Sequence, residues 1–98
     1  TMAMLPQAAQ IEYVRGNAEL VPLSEADGRI AAEGALPYPP GLLCVVPGEV
    51  WGGPVLNYFL ALEEGINRLP GFTPELQGVY LRNDNGRTRA YGYVLKNR

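Results

Sequence analysis

The chain has 98 residues and a formal net charge of −2, with 47% apolar and 18% charged residues. These values fit one globular domain, or part of one, rather than a disordered segment. The absence of a basic run gives no sign of a nucleic-acid or anionic-membrane partner, and one cysteine without any histidine excludes a catalytic triad, a zinc site and a disulfide framework.

The N-terminal segment, residues 1–10, has no clean helical or strand period and contains Pro6. We therefore interpret it as an irregular connecting arm. Its large apolar side chains are Met2, Met4 and Leu5. Such side chains would be unusual on a free terminus, so we expect the arm to dock against another surface.

Three short elements are predicted next. Glu19–Leu23 indicates a strand, and Pro22 restricts it to an edge or an end because proline cannot donate to a ladder. Ser24 is expected to cap a short helix that Gly28 ends. Ile30–Leu36 fits either a helical turn or a strand. Gly34 and Leu36, which precedes a proline, both oppose a helix, so we expect a strand that begins after Ala32.

Two rigid corners flank an apolar stretch in the middle of the chain, and each combines proline with glycine. Proline fixes one backbone angle and glycine adopts angles that other residues resist, so these corners specify the backbone path tightly. Between them, Leu42–Val46 predicts a continuous apolar strand that is covered on both faces. Any local function should lie near the corner residues, which are Tyr38, Pro39, Pro40 and Gly41, then Pro47, Gly48, Glu49 and Trp51.

A long helix is predicted to begin near Gly53-Pro54, since proline is accepted in a first turn, and to end at Pro70-Gly71. Glu63 and Glu64 point different ways on this helix and fit a solvated face better than a catalytic pair. Glu64 and Arg68 form a favourable i,i+4 pair. The helix has one apolar stripe, formed by Val55, Phe59, Leu62, Ile66 and Leu69 and widened on one side by Leu56 and Leu60. A stripe of this width indicates that the helix packs against more than one neighbouring element.

Gln77–Arg82 and Thr88–Leu95 predict a β-hairpin whose Asn85-Gly86 turn is of type I′. A two-residue loop places Arg82 opposite Arg89, which is mildly unfavourable, whereas a four-residue loop avoids this pairing and keeps the same faces. The fold class is therefore α+β, a small, mostly antiparallel sheet with one long packed helix and a C-terminal hairpin. One face of the hairpin is apolar. The other face carries Tyr80, Arg82, Arg89, Tyr91 and Tyr93. Such side chains can stack on nucleic-acid bases, but the acidic net charge of the chain argues against that role.

Few residues are candidates for catalysis. Cys44 has apolar neighbours and fits a small core residue better than a nucleophile. A capping or interface role suits Glu49 better than catalysis, and Lys96, the only lysine, lies near the chain end. We therefore assign no catalytic, cofactor-binding or metal-binding residue. The single cysteine suits a reducing compartment, so we expect a cytoplasmic protein. The residues by themselves indicate a docked, non-catalytic module.

Specific motifs add to this interpretation. They are GRIAAEGALPYPPG at 28–41, VVPGE at 45–49, LPGF at 69–72 and ELQGVY at 75–80. In this order and spacing they resemble the C-terminal domain of the bacterial ornithine, lysine and arginine decarboxylases, which are pyridoxal-phosphate enzymes. The resemblance runs from about Val14 to Lys96, and ELQGVY with YGYVLK is most similar to the ornithine branch.

The resemblance implies that residues 14–98 are the C-terminal domain of a larger enzyme, with 1–13 as a connecting arm. The parent enzyme then converts ornithine to putrescine and CO₂ in polyamine biosynthesis. The family's cofactor lysine belongs to an S-x-H-K motif in an upstream domain, and this sequence lacks that motif. The resemblance therefore implies that this fragment binds no pyridoxal phosphate and has no activity by itself.

The resemblance also implies two kinds of partner, the upstream catalytic domain and neighbouring subunits of a homo-oligomer. The corner residues are then expected nearest that junction, close to the active-site entrance. Lysine or arginine remains open as the substrate. The alternative is a free-standing interaction module with the same fold and no enzymatic activity.

Overall fold

The computed structural model describes residues 2–37, 44–72, 74 and 76–96. In chain order the elements are α1 (Pro6–Val14), β1 (Ala18–Pro22), a 3₁₀ turn (Leu23–Glu25), β2 (Leu36–Pro37), α2 (Gly53–Arg68), β3 (Leu76–Gln77), β4 (Tyr80–Asp84) and β5 (Arg87–Leu95). The α+β class is confirmed. Across the described ranges, neither helix is both long and apolar enough to span a lipid bilayer.

The main sheet is antiparallel, with three strands in the order β1-β5-β4. β1 pairs with the second half of β5, from Ala18 opposite Leu95 to Pro22 opposite Tyr91. Pro22 therefore ends an edge strand, as predicted, at a place where its missing N–H costs little. β2 and β3 form a separate antiparallel ladder of two residue pairs.

β4 and β5 form the predicted C-terminal hairpin. Asn85 and Gly86 have φ values of 56° and 82°, as a type I′ turn requires. Arg82 lies opposite Arg89, so the two-residue loop is correct and the four-residue alternative is wrong. The Arg82 guanidinium lies 5.0 Å from the centroid of the Tyr91 ring. This cation–π contact favours the hairpin despite the like-charge pair.

Helix α1 forms where the sequence predicted irregular backbone. Pro6 opens this helix instead of interrupting it, because the first helical residue needs no N–H donor. Ala9 is buried and packs with Ala32 and Leu95. Val94, the neighbour of Leu95, belongs to the other core cluster. Because successive side chains of a strand point to opposite faces, α1 lies on the sheet face opposite the main core. The division into an arm and a domain remains a prediction.

Helix α2 covers the other face of the sheet. It has proline in its first turn and ends just before Pro70-Gly71, both as predicted. Its core contacts include Leu56 and Phe59, and the Phe59 ring meets the Trp51 ring edge to face at 5.5 Å. Such aromatic pairs add specific geometry to a large buried area. Leu69, predicted to extend the apolar stripe, is 57% exposed because the helix has already ended.

The polar side of α2 contains the predicted i,i+4 pair. Arg68 Nε lies 2.6 Å from Glu64 Oε1, and Arg87 of β5 adds a second contact of 3.0 Å to Glu64 Oε2. Hydrogen bonding from Arg68, then from Arg87, holds the pKa of the Glu64 carboxyl below its usual value. These groups are solvent-exposed, so we expect the pairs to add little stability.

Glu63 is buried, and its predicted place on a solvated face is wrong. Its Oε2 accepts a hydrogen bond of 2.7 Å from the Ala90 N–H. One turn later, the Asn67 side chain accepts from the Thr88 N–H and donates to the Thr88 C=O, each at 2.8 Å. β1 pairs with β5 only from Tyr91 onward. The two helix side chains therefore satisfy backbone groups of β5 that β1 does not reach.

Ser24 does not cap a helix. The 3₁₀ turn that contains it follows Pro22 and has no side-chain cap. The Ser24 hydroxyl instead accepts a hydrogen bond of 3.0 Å from the Arg89 guanidinium. A long-range partner has therefore replaced the local one that the sequence suggested.

The predicted strand Leu42–Val46 is reduced to one bridge within the described residues. Val45 pairs with Ala35 through two backbone hydrogen bonds of 2.8 Å, and of the described residues 44–46 only Val45 is buried. Val46 is exposed, which corrects the expectation of cover on both faces. The turn that begins at Pro47 prevents the pairing from continuing. Leu42 and Leu43 lie outside the described residues.

Candidate functional site

The second predicted corner is a real structural unit. Pro47 and Gly48 form a turn, Glu49 and Val50 continue as bridge residues, and Trp51 enters the core. The turn predicted at Pro47-Gly48-Glu49 is confirmed. The residues of the first corner lie outside the described part of the chain and are Tyr38, Pro39, Pro40 and Gly41.

The corner is fixed by antiparallel pairing with the segment before β2. The Trp51 N–H donates to the Arg29 C=O at 2.8 Å, and the Ala31 N–H donates to the Glu49 C=O at 2.7 Å. The Gly48 N–H donates to the Ala31 C=O at 2.9 Å. Buried backbone groups that are paired in this way hold the corner in one conformation.

Gly48 cannot be replaced without a clash. Its φ is +94°, and a Cβ atom built there would lie 2.1 Å from the Met4 carbonyl oxygen. The Ala3 and Met4 N–H groups both donate to the Gly48 C=O, at 2.9 and 3.2 Å. The N-terminal residues therefore dock on this corner of the same domain through their backbone, and docking of the arm on another domain remains a prediction. Met4 is half-buried, whereas Met2 and Leu5 remain exposed.

Glu49 closes the turn with both its backbone and its side chain. Its Oε1 accepts a hydrogen bond of 2.8 Å from the Val46 N–H, and its own N–H donates to the Val46 C=O at 3.1 Å. The carboxylate thus satisfies a backbone donor at the turn, which is the capping role that the sequence favoured. This geometry stabilises the backbone and assigns no proton-transfer role to Glu49.

A cleft of about 450 Å³ lies beside the corner. Asp27 and Glu49 contribute carboxylates, Cys44 and Trp51 contribute less polar surface, and the first turn of α2 supplies backbone. No basic side chain is present among the described residues that line it. The arrangement therefore disfavours an anionic ligand. Within the described ranges, no group of three or more metal-ligating side chains occurs.

Trp51 is the centre of this region. Its side chain is buried between the cleft and α2, and its indole Nε1 has no hydrogen-bond partner among the described residues. A buried donor without a partner costs about 1–3 kcal/mol, so packing of the ring has to outweigh this penalty. The ring lies against Gly92 of β5, where an added Cβ would be 3.7 Å from it.

A second polar cluster, which sequence reasoning missed, lies on the α1 side of the sheet. Glu33 accepts hydrogen bonds from the hydroxyls of Tyr13 at 3.2 Å and Tyr80 at 2.5 Å. The Tyr93 ring lies 5.4 Å from that of Tyr13 and 5.5 Å from that of Tyr80. We call these four residues the tyrosine cluster. It connects α1, the loop before β2 and both hairpin strands.

Two hydroxyls of the tyrosine cluster, those of Tyr13 and Tyr80, have raised pKa values. The hydrogen bond to Glu33, then burial, raises the pKa of Tyr80 to about 12. Burial, then the negative charge of Glu33, raises the pKa of Tyr13. Both carboxylate oxygens of Glu33 are already engaged, so the cluster acts as a structural connection. The alternation of the hairpin strands predicted the aromatic face, but no sequence pattern links it to Glu33, which lies 47 residues from Tyr80 in the chain.

Comparison with known proteins supplies a context for these sites. The family model described as "Orn/Lys/Arg decarboxylase, C-terminal domain" matches residues 1–96. The chain is 68% identical over 97 residues to the constitutive ornithine decarboxylase of Escherichia coli K12, which covers 98% of this chain and 14% of the relative. It is 41% identical over 87 residues to the inducible lysine decarboxylase of the same strain, covering 86% of this chain and 12% of that protein.

Solved structures agree with the sequence matches. Lysine decarboxylase A from Pseudomonas aeruginosa superimposes with a TM-score of 0.81 at 32% identity, covering 97% of this chain and 13% of that chain. The chain thus spans only about one seventh of the relatives that it matches.

Proposed function

The chain belongs to the family of Orn/Lys/Arg decarboxylase C-terminal domains, and from this membership we propose that it is that domain of a pyridoxal-phosphate-dependent ornithine decarboxylase. The parent enzyme converts ornithine to putrescine and CO₂ in the cytoplasm, as a step of polyamine biosynthesis. One observation carries the choice of substrate. Identity to an ornithine decarboxylase is 68%, against 41% for a lysine decarboxylase.

The residues that the structure describes do not fit pyridoxal phosphate. This cofactor needs a lysine for attachment and donors for its phosphate group. Lys96 is exposed, and its backbone N–H donates to the Asn17 C=O at the edge of the domain. Asp27 and Glu49 in the cleft would repel a phosphate. We therefore assign cofactor binding and catalysis to the upstream domain, and no activity to this fragment by itself.

The role proposed for this domain is docking on the catalytic domain, near the active-site entrance and the contacts between subunits of a homo-oligomer. The second corner and its cleft are the proposed contact, together with the first corner. Backbone pairing fixes Gly48, Glu49 and Trp51 before any partner arrives. A rigid surface loses little conformational entropy on association, which supports this assignment.

Substrate choice is tested on the purified parent enzyme by CO₂ release from ornithine, lysine and arginine. Lysine differs from ornithine by one methylene, and a pocket discriminates one methylene by roughly 10–200-fold. We expect kcat/KM for ornithine to exceed that for lysine by a factor in this range. A preference for lysine or arginine would contradict the proposal.

The inactivity of the fragment needs a separate measurement. The 98-residue chain mixed with pyridoxal phosphate and ornithine should release no CO₂ above a protein-free control. Turnover by this chain would refute the assignment of catalysis to an upstream domain. A coding sequence that begins near Met2, with no decarboxylase sequence before it, would instead support the free-standing module.

A further inference from the structure

The hairpin turn between β4 and β5 combines two groups that can react with each other. Asn85 is the only asparagine in the sequence that is followed directly by a glycine. The side-chain amide carbon of an asparagine is an electrophile, and the next backbone nitrogen can reach it to close a cyclic imide. Glycine in the second position has no side chain to hinder this approach.

The turn is also open to water. Asn85 and Gly86 are both exposed. A Cβ atom built on Gly86 would meet no heavy atom within 4 Å apart from its chain neighbours. The side chain of Asn85 is therefore accessible for a reaction that consumes water, as is usual for a loop tip.

We propose that Asn85 is a deamidation site and that Asn83 controls its rate in the folded protein. In this reaction the Gly86 nitrogen loses its proton and attacks Cγ of Asn85. The new N–Cγ bond forms, the Cγ–Nδ2 bond breaks, and the amide nitrogen leaves as ammonia with that proton. Water then opens the cyclic imide at either carbonyl and gives aspartate or isoaspartate. The reaction involves only residues of this chain, so the proposal is independent of the proposed function.

The controlling contact is a hydrogen bond to the attacking nitrogen. The Gly86 N–H donates to Asn83 Oδ1 at 3.0 Å. Attack requires this proton to leave and the peptide plane between Asn85 and Gly86 to turn towards the side chain. The hydrogen bond opposes both changes. A neutral hydrogen bond that has to break first slows such a step by roughly 2–10-fold.

The two products have different consequences for the hairpin. Aspartate fits the turn, because Asp-Gly also forms type I′ turns. Isoaspartate adds one carbon atom to the main chain, whereas the strands already pair next to the turn, with Asp84 opposite Arg87. Within the described residues, β4 pairs with β5 alone. Formation of isoaspartate should therefore weaken the attachment of β4 to the sheet.

The test follows deamidation in the full polypeptide that contains this domain. Samples are incubated at mildly alkaline pH, and peptide mass spectrometry detects replacement of the amide by a carboxyl group. We expect the change in the peptide that spans Asn85. The peptide that contains Asn67 should stay unchanged over the same time, because both groups of that side chain are hydrogen-bonded. Deamidation at Asn67 with none at Asn85 would overturn the proposal.

The role of Asn83 is tested by substitution. Asn83→Ala removes the acceptor and should speed deamidation of folded protein by roughly 3–10-fold. Thr88→Ala removes the side chain on the opposite strand residue and keeps the acceptor, so it is the matched control. Its rate should stay within about 1.5-fold of wild type, because a cross-strand pair contributes little by itself. Equal acceleration by both variants would assign the protection to general hairpin stability and overturn the role of Asn83.

Denatured samples separate structure from local sequence. In concentrated urea the hydrogen bond to Asn83 is absent, so wild type and Asn83→Ala should deamidate at the same rate, and faster than folded wild type. If Asn83→Ala accelerates the reaction equally in urea and in the folded state, the effect belongs to the sequence and the proposed control is wrong. Hydrogen–deuterium exchange on the aged wild type should show faster exchange in β4 of the isoaspartate form, and unchanged exchange would contradict the predicted weakening.

Discussion

The two faces of the main sheet are stabilised in different ways. The α2 face buries large apolar side chains, with Trp51 and Phe59 at its centre. The α1 face buries a smaller set, Ala9, Ala32 and Leu95, and adds the tyrosine cluster at its edge. β5 is thus held by a large apolar cluster on one side and by a smaller apolar cluster with a polar connection on the other.

The largest effect should follow from Phe59→Ala on the α2 face. Removing a fully buried aromatic ring leaves a cavity and typically costs about 3–5 kcal/mol. Urea denaturation of the 98-residue chain measures this as a lower midpoint. Leu69→Ala, at an exposed residue just beyond α2, is the control and should change the free energy of unfolding by less than about 0.5 kcal/mol. Equal losses for the two variants would invalidate the description of the α2 face.

A smaller effect should follow from Glu63→Ala, which removes the acceptor of the buried Ala90 N–H. An unsatisfied buried donor costs about 1–3 kcal/mol. Glu63→Gln is the matched control because its amide oxygen can accept the same hydrogen bond, so it should be the more stable variant. The same denaturation assay decides between them. If Glu63→Gln is as unstable as Glu63→Ala, the charge rather than the hydrogen bond is what matters.

The smallest effect concerns the tyrosine cluster and its dependence on pH. The pKa of Tyr80 is raised from 10.0 to about 12, so the folded state holds its proton more tightly than the unfolded state does. This contribution to stability is complete below about pH 10 and is lost as the pH rises towards 12. Phenolate absorbance should show Tyr80 titrating late in wild type, and Tyr80→Phe should remove one tyrosine from the late part of the titration, to which Tyr13 also contributes. Titration of every tyrosine near pH 10 would disprove the connection to Glu33.

Sequence reasoning succeeded where structure depends on local chemistry. Asn85-Gly86 determined the hairpin because few residues adopt two consecutive positive φ values. Pro54 marked the start of α2 because proline is accepted in a first helical turn, and Gly71 marked its end because glycine adopts a positive φ readily. In contrast, α1 was missed because Pro6 fits both a break and a first helical turn, and only the second is correct here.

The interactions that were missed connect residues far apart in the chain. Glu63 looked like a surface residue because its partner is a backbone N–H 27 positions later. In the candidate site, too, the local feature was predictable and the long-range contacts were not. The turn at Pro47-Gly48 was predictable from composition, but its pairing with Arg29 and Ala31 was not. Contact of the corner residues with a catalytic domain remains a prediction.

The helix side chains that reach β5 also affect how the protein behaves among other chains. An unpaired strand edge is a template on which a second polypeptide can add a strand, and this is a common route to aggregation. Asn67 already binds the N–H and C=O of Thr88, and Glu63 binds the N–H of Ala90, which are groups that such a strand would need. Half of β5 is thereby closed to intermolecular pairing by two side chains instead of a further strand.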